Sequence, residues 1–484
     1  MEFEIPVLQK LPDVLREDYF QNTLTIVRPV RDGHKNHIIH MTAGNRVSQK
    51  YAIAIDIGTT TIYGDVLNTE TGESLASYGD FNGQISYGED VISRIVFAER
   101  GDRAQKLQAV VVKTINKVIE KIIHLSKVDT QDISIITLAG NTTMTQLFLG
   151  INPRYIRRAP YVPATMFYPP CKAVDLGLNV DDHAIALLYP CVSSYVGGDI
   201  VAGVMGSDMY QTEELTLFID IGTNAEIVIG NKDWLTCAAC STGPAFEGGG
   251  VEHGMRASKG AIEDFFIDPI TLEPMILTNG NVRPKGICGS GLLTILAILF
   301  ENGVIDQSGK YNTELDTTRI RKQNDVYEYV IVWADQTQID RDIVLTEIDI
   351  DNLIRAKGAM YSGYMTLLTS VGLNIEDLDR IILAGGFGSY VDLEKAMTIG
   401  LLPEVDLEKV TYIGNGSLMG ARMSSISNHI RQDVGKTVAR MTNFELSETP
   451  SYMDNYVAAL FLPHTNIELF PKLNERMIQR KKLK

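Results

Sequence analysis

The chain has 484 residues, 45% hydrophobic and 21% charged, with a formal net charge of −16, which suits a globular protein of two or three domains. That acidic balance argues against general affinity for nucleic acid or an anionic membrane surface. The sequence contains no apolar run long enough for a transmembrane helix, and the opening MEFEIPVLQKLPDVLRED has early acids and no apolar signal core, so a cytoplasmic protein is expected.

Residues 1–50 carry prolines at 6, 12 and 29 and a basic, histidine-containing stretch, RPVRDGHKNHIIH. They read as a linker or the remnant of another module, not as a core-building domain. From Tyr51 the pattern changes. YAIAIDIG and TTTIYGDVL are two short apolar strands joined by a tight Gly-Thr turn, and ESLASYGDF is a third. Residues 89–127 show helical apolar spacing, as in LQAVVVKTINKVIEKII. A buried strand, ISIITLAG, then runs into a helical segment, NTTMTQLFL.

The second half repeats this order. ELTLFIDIG, NAEIVIG and DWLTCAAC predict three strands, and GLLTILAILFENG and DNLIRAKGAMYSGYMTLLTSVG predict helices. RIILAGGFGSY is a buried strand ending in glycines, and VTYIGNGSLMGARMSS is a strand, a Gly-Asn-Gly turn and a helix. The expected fold is α/β, two duplicated lobes with mixed sheets flanked by helices. Residues 51–212 would form the first lobe, and 213–484 the second with a carboxy-terminal extension. The basic tail of Arg476, Arg480, Lys481, Lys482 and Lys484 reads as a solvated end.

Five cysteines, Cys171, Cys191, Cys237, Cys240 and Cys288, form no disulfide-like framework. Cys237 and Cys240 make a lone C-x-x-C with neither a thioredoxin-like pattern nor further metal ligands beside it. They read as small buried apolar residues, with a redox or metal pair as the competing interpretation.

A turn of Gly and Thr directs backbone N–H groups and hydroxyls into one small space, which suits phosphate oxygens. Glycine permits close approach and threonine adds hydrogen bonds. One Asp-Ile-Gly-Thr is no more than a β-turn with a hydroxyl cap. Two, at residues 56–59 and 220–223 and each in a matching strand context, predict a pair of turns that grip one polyphosphate. Asp56 and Asp220 would then sit beside anionic oxygens, and Mg²⁺ is the natural mediator, held through its waters. The glycines of 385–388 follow a buried strand, where a base or sugar can approach backbone.

These segments resemble the superfamily of actin, heat-shock chaperones and sugar kinases. AIDIGTTT matches its first phosphate loop, LFIDIGTNA its second and IILAGGFGSY its adenosine-binding turn, while ITLAGN and YIGNGSLMGA match its two connecting segments. The resemblance implies two lobes with ATP·Mg²⁺ in the cleft. Asp56, Gly58, Thr59, Thr60 and Thr61 would serve the first phosphate loop, and Asp220, Gly222, Thr223 and Asn224 the second. Gly385, Gly386 and Gly388 would border the adenosine.

Within that superfamily, TGPAFEGGGVEHGMRASKGAI, KGICGSGLL and NLIRAKGAM resemble the reductive activators of corrinoid proteins. Those proteins use ATP to drive Co(II) corrinoid uphill to Co(I). This implies a corrinoid protein and an electron donor such as a ferredoxin as partners, and allows a homodimer. Such activators carry an iron–sulfur domain, and no dense cysteine run is present here to hold a cluster. The expectation is a fragment beginning in the linker, or a separate donor. Glu247 and Asp199 are candidates to orient the hydrolytic water, although each also reads as a cap or loop acid. Lys357 would reach the ribose or phosphates, or else be a solvated helix lysine. The rival functions are a small-molecule kinase, a reactivating chaperone of a cobalamin dehydratase and an actin-like scaffold.

Overall fold

The computed structural model describes residues 2–27, 35–222, 224–386 and 391–483. The chain forms two units, Met1–Gln211 with Asn415–Asn443, and Thr212–Gly414 with Phe444–Lys484.

The first unit is built on a six-stranded mixed sheet. Strands Tyr51–Ile57 and Thr61–Asn68 form an antiparallel hairpin that places Ile57 opposite Ile62, and Ser74–Phe81 extends it on one side. On the other side Tyr51–Ile57 runs parallel to Ile133–Gly140, with Asp56 beside Ala139, followed by Ile185–Leu188 and the short edge strand Cys171–Lys172. Because side chains alternate across a strand, Ile53, Ile55 and Ile57 face one layer, and Ala52, Ala54 and Asp56 the other. The isoleucine face is covered by helix Arg103–Ser126, which buries Leu107, Val111, Ile115, Val118, Ile119 and Ile122 at helical spacing. Each such burial is worth about 1.5–3 kcal/mol relative to exposure. The contact is close, since a Cβ on Gly64 would lie 2.5 Å from Val118. The helical stretch expected at 89–127 is two helices, Val91–Ala98 and Arg103–Ser126, broken near Gly101 at φ +56°.

Two expectations are corrected in this unit. The described residues among 2–50 are more than a linker. Helix Ile5–Glu17 packs on a three-stranded sheet of Glu2–Phe3, His37–Ala43 and Asn22–Val27, around a small core of Val7, Ile38 and Met41. This layer is tied to the main sheet by ion pairs from Lys172 to Glu4 at 2.9 Å and from Arg46 to Asp132 at 3.8 Å. Residues 415–443, expected in the second lobe, belong to the first unit. Helix Gly416–Ile426 covers the alanine face of the sheet, where small residues let it approach. Its Arg422 pairs with the fully buried Asp65, which also accepts from Ser74 at 2.6 Å and Ser77 at 3.1 Å.

The second unit repeats the hairpin. Thr216–Ile221 pairs antiparallel with Ala225–Gly230, which pairs with Leu235–Cys240. Thr216–Ile221 also runs parallel to Arg380–Ala384, and that strand to Val410–Tyr412. Helices Gly289–Glu301 and Glu347–Ser370 fill the core, the former buried on nearly every side. Two further three-stranded sheets, from residues 261–287 and 320–346, are inserted here. Among the described residues, no helix is long and apolar enough to cross a membrane.

Candidate functional site

In the first unit the turn between strands Tyr51–Ile57 and Thr61–Asn68 presents Gly58, Thr59 and Thr60, all partly exposed. A Cβ on Gly58 would lie 2.4 Å from the Thr61 carbonyl, so the bend requires glycine. Two asparagines brace this hairpin. Asn141 caps helix Thr142–Phe148 by accepting from the Met144 N–H at 2.9 Å, while its amide donates to Thr59 Oγ1 at 2.9 Å. Asn415 caps helix Gly416–Ile426 by accepting from the Leu418 N–H at 2.8 Å, while its amide donates to Asp56 Oδ2 at 2.7 Å. Ser417 donates to Asp56 Oδ1 at 2.8 Å. Each cap oxygen satisfies an otherwise unpaired helix N–H, so the amide orientation is fixed by the helix end. Burial raises the Asp56 carboxyl above its ordinary value, opposed by the Asn415 and Ser417 hydrogen bonds.

Behind the turn lies a buried cation that sequence inspection missed. Arg94, in helix Val91–Ala98, is 0% exposed. It donates to the Thr59 carbonyl at 2.6 Å, the Gly88 carbonyl at 2.9 Å and Gln84 at 3.3 Å. Burial lowers its pKa to about 10, with Asp90 acting against that shift, so it stays charged near neutrality. Asn82 adds a bond from its amide to the Gly58 carbonyl at 3.0 Å. The turn's carbonyls are therefore tied back toward the protein, and a positive charge stands behind its outward groups. That arrangement favours an anion. The only signal for Arg94 in the sequence is one charge inside the apolar VISRIVFA.

Asp199 lies in the first turn of helix Gly198–Gly206, where its Oδ1 accepts from the Ile200 N–H at 2.9 Å. The start of that helix abuts the brace, since a Cβ on Gly197 would lie 2.4 Å from Asn141 Cα. The structure thus brings Asp56, Gly58, Thr59, Thr60 and the Asp199 helix together, while Thr61 begins the second strand of the hairpin.

In the second unit, Gly222 donates its N–H to the Asn224 carbonyl at 2.9 Å across the turn. Thr223 and Gly388 lie outside the described residues. Gly385, at φ +96°, is pressed against the hairpin, and a Cβ there would lie 2.6 Å from Asp220 Oδ1 and 2.4 Å from the Ile221 carbonyl. Its N–H donates to the Gly414 carbonyl at 3.0 Å, and Tyr412 donates to its carbonyl at 2.6 Å. Gly386 next to it has open space where a side chain would be. Asp220 and the glycine turn are therefore neighbours in this unit. Glu247 sits half-buried at the end of the single turn Ala245–Glu247, closed by Gly248 at φ +86°.

Lys357 is not placed for a ligand. It is 0% exposed and donates to the carbonyls of Phe461 and Pro463, each at 2.5 Å. Desolvation holds its ammonium well below its ordinary pKa, and its role is to bind the carboxy-terminal segment to helix Glu347–Ser370.

The cysteines do not fit an iron–sulfur cluster. Cys237 and Cys240 lie three apart on strand Leu235–Cys240, so they point to opposite faces and cannot share an ion. Burial pushes the Cys237 thiol up to about 12, and Cys240 higher still, so neither is a ready thiolate. The first turn, by contrast, offers groups that suit ATP·Mg²⁺. Each Asp56 oxygen accepts one hydrogen bond and keeps lone pairs for a metal-bound water.

Comparison with known proteins identifies the family. A family model described as the C-terminal domain of RACo, the ASKHA domain, matches residues 214–474, and one described as the RACo middle region matches residues 51–212. The corrinoid activation enzyme RamQ of Eubacterium limosum is 32% identical over 432 residues, 87% of this chain and 72% of its own length. The Co(II) methylated amine-specific corrinoid protein reductase of Methanosarcina barkeri is 26% identical over 431 residues, covering 81% and 73% respectively. A solved structure of a reductive activator for corrinoid, iron-sulfur protein superposes with a TM-score of 0.87 at 44% identity, covering 97% of this chain and 74% of that one. The chain therefore belongs to the RACo family of reductive activators of corrinoid proteins, with a carboxy-terminal ASKHA domain.

Proposed function

We propose that this chain binds ATP·Mg²⁺ through its Asp-Gly hairpin turns, and that nucleotide binding and hydrolysis drive a bound corrinoid protein from Co(II) to Co(I). The observation that carries this reading is the twofold occurrence of the device. Each unit has an aspartate next to last in the first strand of a hairpin, a glycine turn, and a parallel neighbouring strand that leads to a further element beside it. Thr59 accepts from Asn141 and keeps its own hydroxyl hydrogen to donate to a phosphate oxygen. Asp56 and Asp220 would hold Mg²⁺ through its waters, and the ion would neutralise phosphate charge. Gly385 and Gly386 would admit the adenosine, and Glu247 or Asp199 would orient the attacking water. The nucleotide shifts the redox step only by as much as its affinity differs between the two states it couples.

One electron per cobalt must come from an iron–sulfur donor, on another domain or another protein. The five cysteines, none in a disulfide, fit a reducing cytoplasm. The test is to mix the chain with a Co(II) corrinoid protein and a reduced ferredoxin and follow the cobalt spectrum. ATP-dependent appearance of Co(I) supports the proposal. Reduction that proceeds equally without nucleotide sinks it.

A further inference from the structure

The amino-terminal layer meets the main sheet through a histidine pair that the nucleotide chemistry does not use. His40, on strand His37–Ala43, stacks on His183, just before strand Ile185–Leu188, with ring centroids 3.9 Å apart and planes 14° from parallel. Asp181 completes the group. Its Oδ1 lies 2.6 Å from His183 Nδ1, and one donor atom from each of the three residues lies within 4.8 Å of the others.

The remaining nitrogens are the informative ones. His183 is 2% exposed, and the Nε2 atoms of both His40 and His183 are buried without a hydrogen-bond partner. Buried polar atoms are nearly always paired, and an orphan commonly marks a missing ion or water. Two such orphans beside each other, one on an imidazole oriented by a carboxylate, match the carboxylate–histidine–metal pattern. From these contacts we infer that His40 and His183 form a transition-metal site, with Nε2 of each ring as ligand and Asp181 as the orienting carboxylate.

A zinc-like divalent ion suits imidazole donors. It binds nitrogen at about 2.0–2.1 Å, so the parallel rings must splay for their in-plane lone pairs to converge. The nearby charges are mixed. Asp181 favours a cation, Lys10 and Arg46 oppose one, and Arg46 is paired with Asp132.

The site is remote from the nucleotide turn. His183 precedes the amino-terminal end of its strand, and in the same sheet Asp56 and Gly58 lie at the carboxy-terminal end of Tyr51–Ile57. The ion would pin strand His37–Ala43, and the layer built on it, to the main sheet. This inference does not rest on the nucleotide reading.

The experiment titrates the chelator-treated full chain with Zn²⁺ by calorimetry, alongside His40→Ala, His183→Ala and Asp181→Asn. One saturable equivalent is expected, lost in either histidine variant and weakened about 10- to 100-fold in Asp181→Asn. The thermal midpoint of the native chain should rise with Zn²⁺, while those of the histidine variants stay put. Long-range ¹H–¹⁵N spectra should show both Nε2 resonances shift on metal addition. No saturable uptake, or equal uptake by all four proteins, would overturn the site and leave the two nitrogens to water.

Discussion

Asn141 and Asn415 each direct a carbonyl oxygen to a helix end and an amide to the same hairpin. Asn415→Asp keeps the cap oxygen but sets a second carboxylate against Asp56, replacing a charge-assisted bond worth about 1.5–3 kcal/mol with repulsion. Mg·ATP affinity should fall about tenfold or more by calorimetry. The pH sign follows from burial. A raised Asp56 pKa means that the folded state retains its proton to higher pH than the unfolded chain. Its contribution to stability is therefore full below the unfolded pKa and declines as pH rises through the folded one. Asn415→Asp should accordingly lower the urea midpoint more at about pH 8 than at about pH 5. Arg94→Met should weaken ATP by about 10- to 100-fold, given the strength of a charged hydrogen bond, and adenosine much less. Equal losses for both ligands would reduce Arg94 to packing. Asp56 was legible from its strand and turn. Its partner Asn415 stands 359 positions away, and a long-range polar contact leaves no periodicity to read.

At the scale of elements, the brace depends on two helices packed backbone to backbone. A Cβ on Gly420 would lie 2.0 Å from the Ala202 carbonyl, and one on Gly206 would lie 2.9 Å from the Gly416 carbonyl. Gly420→Ala should therefore cost about 1–3 kcal/mol or more and weaken Mg·ATP, because helix Gly416–Ile426 carries Asn415 and Ser417. Gly435, on helix Asn428–Arg440 with open space around it, is the control, and Gly435→Ala should be neutral or stabilising by about 0.4–1 kcal/mol. Lys357→Ala should lower stability by about 2–4 kcal/mol through orphaned carbonyls and leave ATP affinity unchanged. A large loss of affinity would restore the ligand role expected from its position. The hairpins were readable because apolar alternation and a Gly-Thr turn are local signals. The amino-terminal layer was not. Pro6 and Pro12 belonged to a stretch read as a linker yet lie within helix Ile5–Glu17, and its core has only a few apolar residues. The small residues of VGGDIVAGVMG and GNGSLMGA were visible, but which helix they face is decided only in three dimensions.

For the whole molecule, duplication explains why a chain of ordinary composition carries two equivalent turns, one in each unit. The internal repeat was legible because strand, turn and buried strand recur in the same order. The division of the chain was not, because residues 415–443 return to the first unit after the second has been built. Hydrogen bonds to Asp56 and an ion pair to Asp65 hold them there. Nucleotide binding at the hairpin turns is tested most directly by calorimetric titration of the full chain with ATP. The titration is run with and without Mg²⁺ and repeated on Asp56→Asn and Asp220→Asn. The expected result is Mg²⁺-dependent binding, weakened by either substitution alone. Binding that ignores Mg²⁺, or that survives loss of one aspartate unchanged, would contradict it.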